Sequence, residues 1–395
     1  MTRPTNGHPR HAYVAGNERP VLITGGCGFI GTNLAHRILS MGRPVLLFDN
    51  LTRPGVENNW RWLRQMHGAN VRIEVADVRD YVALRQAVDS ASQVFHFAAQ
   101  VAVTTSLTNA ILDFDINARG TLNLLEAIRA QDDPPPLVFT STNKVYGSLP
   151  DVKLRVRGRQ CEPEDETLRQ AGINEQRPLD FHSPYGCSKG TADQYVLDYA
   201  RTFGLRTVVF RMSCIYGPHQ FGNEDQGWVA HFLIRALRRE PITLYGDGTQ
   251  VRDILFVKDL VDAFLLAQAH MSQISGQVFN IGGGPANTIS LLDLLDIIEP
   301  LVGHRPTIHT GAWRPGDQRY YVSDTRKMQA HTGWSPKVSV HEGIRQLHQW
   351  LRNLAATPRH NGSSLRPAPG SVSGPTKAKR AADTVRKSAA PKEIA

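Results

Sequence analysis

Val21-Leu22-Ile23-Thr24-Gly25-Gly26-Cys27-Gly28-Phe29-Ile30-Gly31 is a short apolar run that enters a glycine-rich turn, and residues 30–40 behind it repeat apolar side chains at helical spacing. In such a turn Gly25 permits the tight reversal and Gly28 lets the backbone approach a phosphate. Gly31 lets helix and strand pack closely, with phosphate at the helix N-terminus. A glycine triplet alone is common by chance. Here a strand precedes it, a helix follows it, and Asp49 ends the next apolar run at about the ~20-residue spacing of a dinucleotide site.

A carboxylate at Asp49 would accept hydrogen bonds from the adenosine ribose hydroxyls and repel a 2′-phosphate. The expected cofactor is therefore NAD, with Arg53 the one nearby charge that argues for NADP. The expected cradle comprises Gly25, Gly28, Phe29, Ile30 and Gly31, then Asp49 with Asn50. Asp77 and Val78 follow the third apolar run and are expected at the adenine. Ala98, Ala99 and Gln100 follow the fourth, along the middle of the cofactor, and Thr140 ends the fifth.

Working outward, apolar or β-branched runs at 21–24, 45–48, 71–75, 93–97, 137–140 and 207–211 alternate with helix-period segments such as 81–88, 120–130 and 189–203. That alternation predicts an α/β fold, a Rossmann-type doubly wound parallel sheet. The looser, Gly/Pro-punctuated chain after Arg211 predicts a smaller, interleaved C-terminal substrate domain. The expected division is a tail at 1–18, an NAD-binding domain at 19–213 with a return segment near 251–275, a substrate domain at 214–250 and 276–352, and a basic tail at 357–395. The long connection 149–182 is expected at the substrate entrance.

The 395 residues carry a formal charge of +9, but the excess is terminal: between residues 20 and 356 there are 34 Lys/Arg and 33 Asp/Glu. The charge thus argues for solvated, disordered tails and against a nucleic-acid partner. No run approaches the ~20 apolar residues of a membrane span, so no membrane association and a cytoplasmic location are expected. Cys27, Cys161, Cys187 and Cys214 lack zinc-ligand or CxxC spacing and read as free thiols, and no metal is expected.

Ser183-Pro184-Tyr185-Gly186-Cys187-Ser188-Lys189 places Tyr185 and Lys189 on one face at the start of a helix. An ammonium beside a phenol favours the phenolate, so Tyr185 is expected to have a lowered pKa and to take a proton from a sugar hydroxyl. Lys189 would also hold the nicotinamide ribose.

With Thr140-Ser141-Thr142-Asn143-Lys144-Val145-Tyr146-Gly147 in place, the chain resembles the extended short-chain dehydrogenase/reductase family from about residue 20 to 351. The resemblance implies that the Thr142 hydroxyl completes a catalytic triad with Tyr185 and Lys189. It also implies that Arg252 and Arg314 grip a nucleotide diphosphate, that Asn143 contacts the sugar, and that the enzyme is a homo-oligomer, dimer or tetramer. Sugar-nucleotide 4,6-dehydratases carry Asp-Glu where this chain has Asn143-Lys144, which disfavours elimination of water and favours epimerisation. The phrases STNKVYG at 141–147, DFHSPYGCSKG at 180–190, DQGWV at 225–229 and DQR at 317–319 are similar to those of family members that invert C2 of a nucleotide-linked hexose. A 4-epimerase or a keto-sugar reductase would use the same triad. Cys214 departs from the Asn that many relatives place there. Tyr146, Tyr216 and Trp228 are expected more as packing residues than as catalytic ones.

Overall fold

The computed structural model describes residues 18–314 and 316–356; the expected tails, except for Glu18, lie outside the described residues. Seven parallel strands form the main sheet, in the spatial order Gln277–Ile281, Thr207–Met212, Leu137–Thr142, Gln93–His96, Val21–Thr24, Val45–Phe48, Val71–Glu74. The central strands are apolar without alternation because helices cover both faces. On one face, Leu34 and Ile38 of the helix Phe29–Ser40 and Phe264 of the helix Val257–Ala269 pack on Ile23, Phe95 and Phe210. On the other, Leu124 and Ile128 of Gly120–Arg129 and Val196 of Ser183–Phe203 pack on Leu22, Val94 and Val209.

The strand order reverses between Val21–Thr24 and Gln93–His96, which opens a crevice beyond the carboxyl ends of those strands. A second set of strands centres on Val251–Phe256, which pairs with Thr288–Ser290, Tyr320–Tyr321 and Cys214–Tyr216. Helices Trp228–Leu237, Leu291–Val302 and Val340–Ala356 enclose a separate apolar cluster that includes Phe232, Leu294, Ile298 and Leu347. Among the described residues no helix is long and apolar enough to cross a membrane.

Two details differ from the sequence reading. Gln277–Ile281 was expected in the substrate segment, but it is the edge strand of the main sheet, paired with Thr207–Met212 from Gln277↔Val208 to Ile281↔Met212. Its buried Phe279 and Ile281 belong to the main core. The brevity of the run and the three glycines behind it disguise it as a loop. The connection 149–182 contributes no residue to the walls of the large cavity. It folds instead into the hairpin Leu154–Arg157/Gln160–Pro163, fastened by Cys161 N–H to Thr249 O at 2.8 Å and Gln160 Nε2 to Asp293 Oδ2 at 2.7 Å.

Candidate active site

A cavity of about 760 Å³ occupies the crevice, and every site residue named from the sequence lines it. At one end lies the glycine turn. Gly25 has φ +66°, and a Cβ there would stand 2.7 Å from Ala98 N; one on Gly31 would stand 2.5 Å from Gly25 O. These are backbone collisions, so the turn tolerates no side chain at either position. The helix Phe29–Ser40 begins without a side-chain cap, leaving its first-turn N–H groups available to an anion. Asp49 accepts from Cys27 N at 3.0 Å and Leu51 N at 2.9 Å. The turn itself therefore aims this carboxylate, and burial raises its pKa.

Asp77 is engaged differently. Arg79 donates to both of its oxygens, Asn50 Nδ2 donates to Oδ2 at 2.8 Å, and the Arg79 hydrogen bonds hold the carboxyl down at about 2. With the Arg79 backbone N–H added at 3.0 Å, its acceptor positions are filled. The 77–78 backbone and the Val78 side chain are left to face that end of the cavity. Turn, uncapped helix end and Asp49 together fit a dinucleotide with free ribose hydroxyls.

At the middle of the cavity stand Thr142, Tyr185 and Lys189. Thr142 ends its strand with its hydroxyl near enough to the Tyr185 phenol to favour the ionised form. Lys189 Nζ donates to Thr140 O at 2.7 Å and lies 4.4 Å from the centroid of Phe139. Gly190 is required one residue on, since a Cβ there would collide with the ring of Phe181.

The expected lowering of the Tyr185 pKa by Lys189 is not realised. Burial pushes the phenol up to about 12 against the opposing Thr142 hydroxyl, and burial likewise brings Lys189 down to about 8. Desolvation is the largest influence on each group, and the ammonium is directed at the Thr140 carbonyl.

A buried polar network, absent from the sequence reading, supports this triad. Asn117 Nδ2 donates to Ser188 Oγ at 3.0 Å and to Gln100 O at 3.0 Å, and Gln100 N donates back to Asn117 Oδ1 at 2.9 Å. Gln100 Nε2 donates to Asp113 Oδ1 at 2.7 Å, and Ser188 Oγ donates to Asp113 Oδ2. The network ties the loop behind Gln93–His96 to the helix that carries Tyr185 and Lys189. Its only sequence signal is a pair of polar residues, Asp113 and Asn117, four apart on an otherwise apolar helical face.

At the far end, Asn143 lies beside Thr142 and is 7% exposed. Arg252 donates to Val251 O at 2.8 Å and to Gln318 O. Arg314 stacks 3.6 Å from the ring centroid of Tyr245 and donates to Glu224 O at 3.0 Å. Lys144 also lines this end. Of the three aromatics, Tyr146 and Tyr216 are buried away from the cavity, and Trp228 lines it, donating to Cys214 Sγ at 3.4 Å. No group of His, Cys, Asp or Glu among the described residues is arranged to hold a metal ion.

Residues 21–282 match the NAD dependent epimerase/dehydratase family. The CDP-paratose 2-epimerase of Salmonella typhi is 42% identical over 341 residues, 85% of this chain and 99% of that protein. The dTDP-glucose 4,6-dehydratase of Shigella flexneri is 32% identical over 355 residues, 84% of this chain and 92% of that protein. Among solved structures, the Thermus thermophilus UDP-glucose 4-epimerase in complex with NAD superposes with a TM-score of 0.72 at 32% identity, covering 84% of this chain and 99% of that one. Glycine turn, the Asp49 carboxylate held beside it, Tyr-Lys helix and these likenesses agree: the chain belongs to the NAD dependent epimerase/dehydratase family, with NAD as its cofactor.

Proposed function

We propose that this protein is an epimerase of a nucleotide-linked hexose that inverts C2 through a transient 2-keto sugar, with CDP-paratose to CDP-tyvelose as the reaction. The observation that carries the reading is one continuous cavity joining a dinucleotide cradle to Thr142, Tyr185 and Lys189, with Asn143-Lys144 where an acid pair would drive loss of water. The 42% identity to a CDP-paratose 2-epimerase supports the choice of carbon and nucleotide.

Gly25, Gly28, Phe29, Ile30, Gly31 and Asp49 hold the phosphate and adenosine portions of NAD, and Asn50, Asp77, Val78, Ala98, Ala99, Gln100 and Thr140 complete its walls. NAD held there would supply the acceptor and donor of one hydride at the substrate carbon. Tyr185 takes the proton of the C2 hydroxyl and gives it back to the same oxygen, while Thr142 holds that oxygen. Lys189 keeps a positive charge behind the phenol. Asn143 orients the sugar, and Arg252 and Arg314 hold the diphosphate. Burial pushes the phenol up to about 12, and a positively charged oxidised nicotinamide bound beside it would favour the phenolate.

The test is to incubate purified protein, with no added cofactor, with CDP-paratose, CDP-glucose and UDP-glucose in deuterated water while following ring protons by NMR. Inversion at C2 without deuterium incorporation there is expected. Inversion at C4, or reaction only when NADH is supplied, would replace this reading with a 4-epimerase or a reductase. Asp49→Ala should weaken NAD about 10- to 100-fold, the value of hydrogen bonds to a charged acceptor, and strip cofactor that otherwise copurifies. Retention of stoichiometric NAD would remove Asp49 from the ribose site.

The reading extends to assembly. Leu107, Ile111 and Phe114 are 51%, 78% and 48% exposed on helices next to Ser183–Phe203, which itself exposes Tyr195 and Phe203. An apolar surface of this kind suits self-association. Ile111→Glu is expected to shift the protein to monomer in light scattering, and an unchanged mass would exclude this face. The four free thiols suit the reducing cytoplasm.

A further inference from the structure

We propose that Lys144 is a phosphate-binding residue that forms, with Arg252, a two-cation clamp for the diphosphate of the substrate, on the side nearer Thr142. The inference rests on the nucleotide-sugar reading above. Lys144 was noticed in the sequence only as a residue that is not an acid. The structure gives it a place: its backbone N–H donates to Thr142 Oγ1 at 3.2 Å, and its side chain, 20% exposed, lines the cavity.

Three features point to an anion. The ammonium has three N–H donors, and Gly316 O, at 2.9 Å, is the acceptor it meets among the described residues. Asp317 Oδ1 stands 4.0 Å away, near enough for attraction and too far for a hydrogen bond. Arg252, on the neighbouring strand Val251–Phe256, is close enough that its charge adds to burial in pulling the Lys144 pKa down to about 8. Lys144 and Arg252 thus line the same cavity, and among the described residues Asp317 is the carboxylate within ion-pair distance of Lys144. Cys214, the remaining titratable neighbour, is kept a neutral thiol by burial. Like charges so placed repel each other, and a dianion between them relieves the repulsion. A compact ammonium suits one phosphate oxygen, and the guanidinium fork suits a pair.

This position also has a chemical consequence. Where an acid would sit in the dehydratases, a cation fixes the phosphate end of the sugar close to Thr142, so that C2 is presented to Tyr185.

The holoenzyme, Lys144→Gln and Lys144→Arg are titrated with CDP, with UDP and with cytidine by calorimetry at two salt concentrations. Glutamine retains an N–H for Gly316 O without the charge; arginine retains the charge. Lys144→Gln is expected to weaken nucleoside diphosphate binding about 10- to 100-fold with a shallower salt dependence, while Lys144→Arg stays within a few-fold of wild type. Cytidine, lacking the diphosphate, is expected to bind all three alike, and turnover by Lys144→Gln to show a raised KM. Equal CDP binding by wild type and Lys144→Gln overturns the clamp, as does a parallel loss of cytidine binding, which marks a structural role. If wild type binds no nucleoside diphosphate, the nucleotide-sugar reading itself fails.

Discussion

Tyr185→Phe is expected to lower turnover about 10²- to 10⁴-fold, the range for removing a general acid–base group, while NAD stays bound at the wild-type level. The substitution deletes one oxygen from a site whose packing is otherwise unchanged, and the glycine turn and Asp49 lie at the other end of the cavity. Thr142 then has no phenol beside it, yet Lys189 keeps its Thr140 carbonyl and the helix keeps its place. Measuring bound NAD and single-turnover sugar oxidation on the same preparation separates the two roles. Full activity in Tyr185→Phe would sink the assignment of the base; loss of NAD along with activity would mean that the ring is a cofactor contact first. The pH profile gives a second check. Lys189, brought down to about 8 by burial, loses its charge as pH rises through that value, so the alkaline limb of turnover is expected there.

What could be read ahead of the structure was what spacing alone encodes. Gly25, Gly28 and Gly31 follow a strand and open a helix, and Tyr185 and Lys189 share a helical face, so each set is brought together by local geometry. The Asp113–Asn117–Gln100–Ser188 network was invisible because Ser188 meets Asp113 across 75 positions and Asn117 across 71. Lys144 was visible as a residue type but not as a cation near Arg252, since the turn Asn143–Tyr146 and the strand Val251–Phe256 that bring them together lie about a hundred residues apart in sequence. The Tyr185 expectation failed for a related reason: spacing reports a shared helical face with Lys189, not the burial of the phenol. Gln277–Ile281 was misplaced because three apolar residues, Val278, Phe279 and Ile281, before a glycine run carry no sign of which sheet they join.

The second large effect concerns stability and reaches the site through one helix. Arg211 Nε and Nη2 each donate to Asp193 at 2.9 Å, with Arg211 3% and Asp193 0% exposed. Arg211 Nη1 donates to Tyr146 Oη at 3.1 Å, Tyr146 donates to Asn280 Oδ1 at 2.8 Å, and Asn280 donates to Ile173 O at 2.8 Å. Asp193→Ala therefore leaves a guanidinium buried with one neutral partner, and a loss of about 3–5 kcal/mol is expected in urea unfolding. Replacing both members, Asp193→Leu with Arg211→Met, removes the stranded charge and should cost much less. A loss under about 1 kcal/mol in the single variant would show that the cavity left behind admits water to Arg211. Asp193 is also one turn beyond Lys189 on the helix Ser183–Phe203, and its charge raises the Lys189 pKa against burial. Any folded Asp193→Ala enzyme should thus move its alkaline limb below the wild-type position, because the ammonium loses the carboxylate that helps to keep it protonated. An unshifted limb would assign that limb to a group other than Lys189.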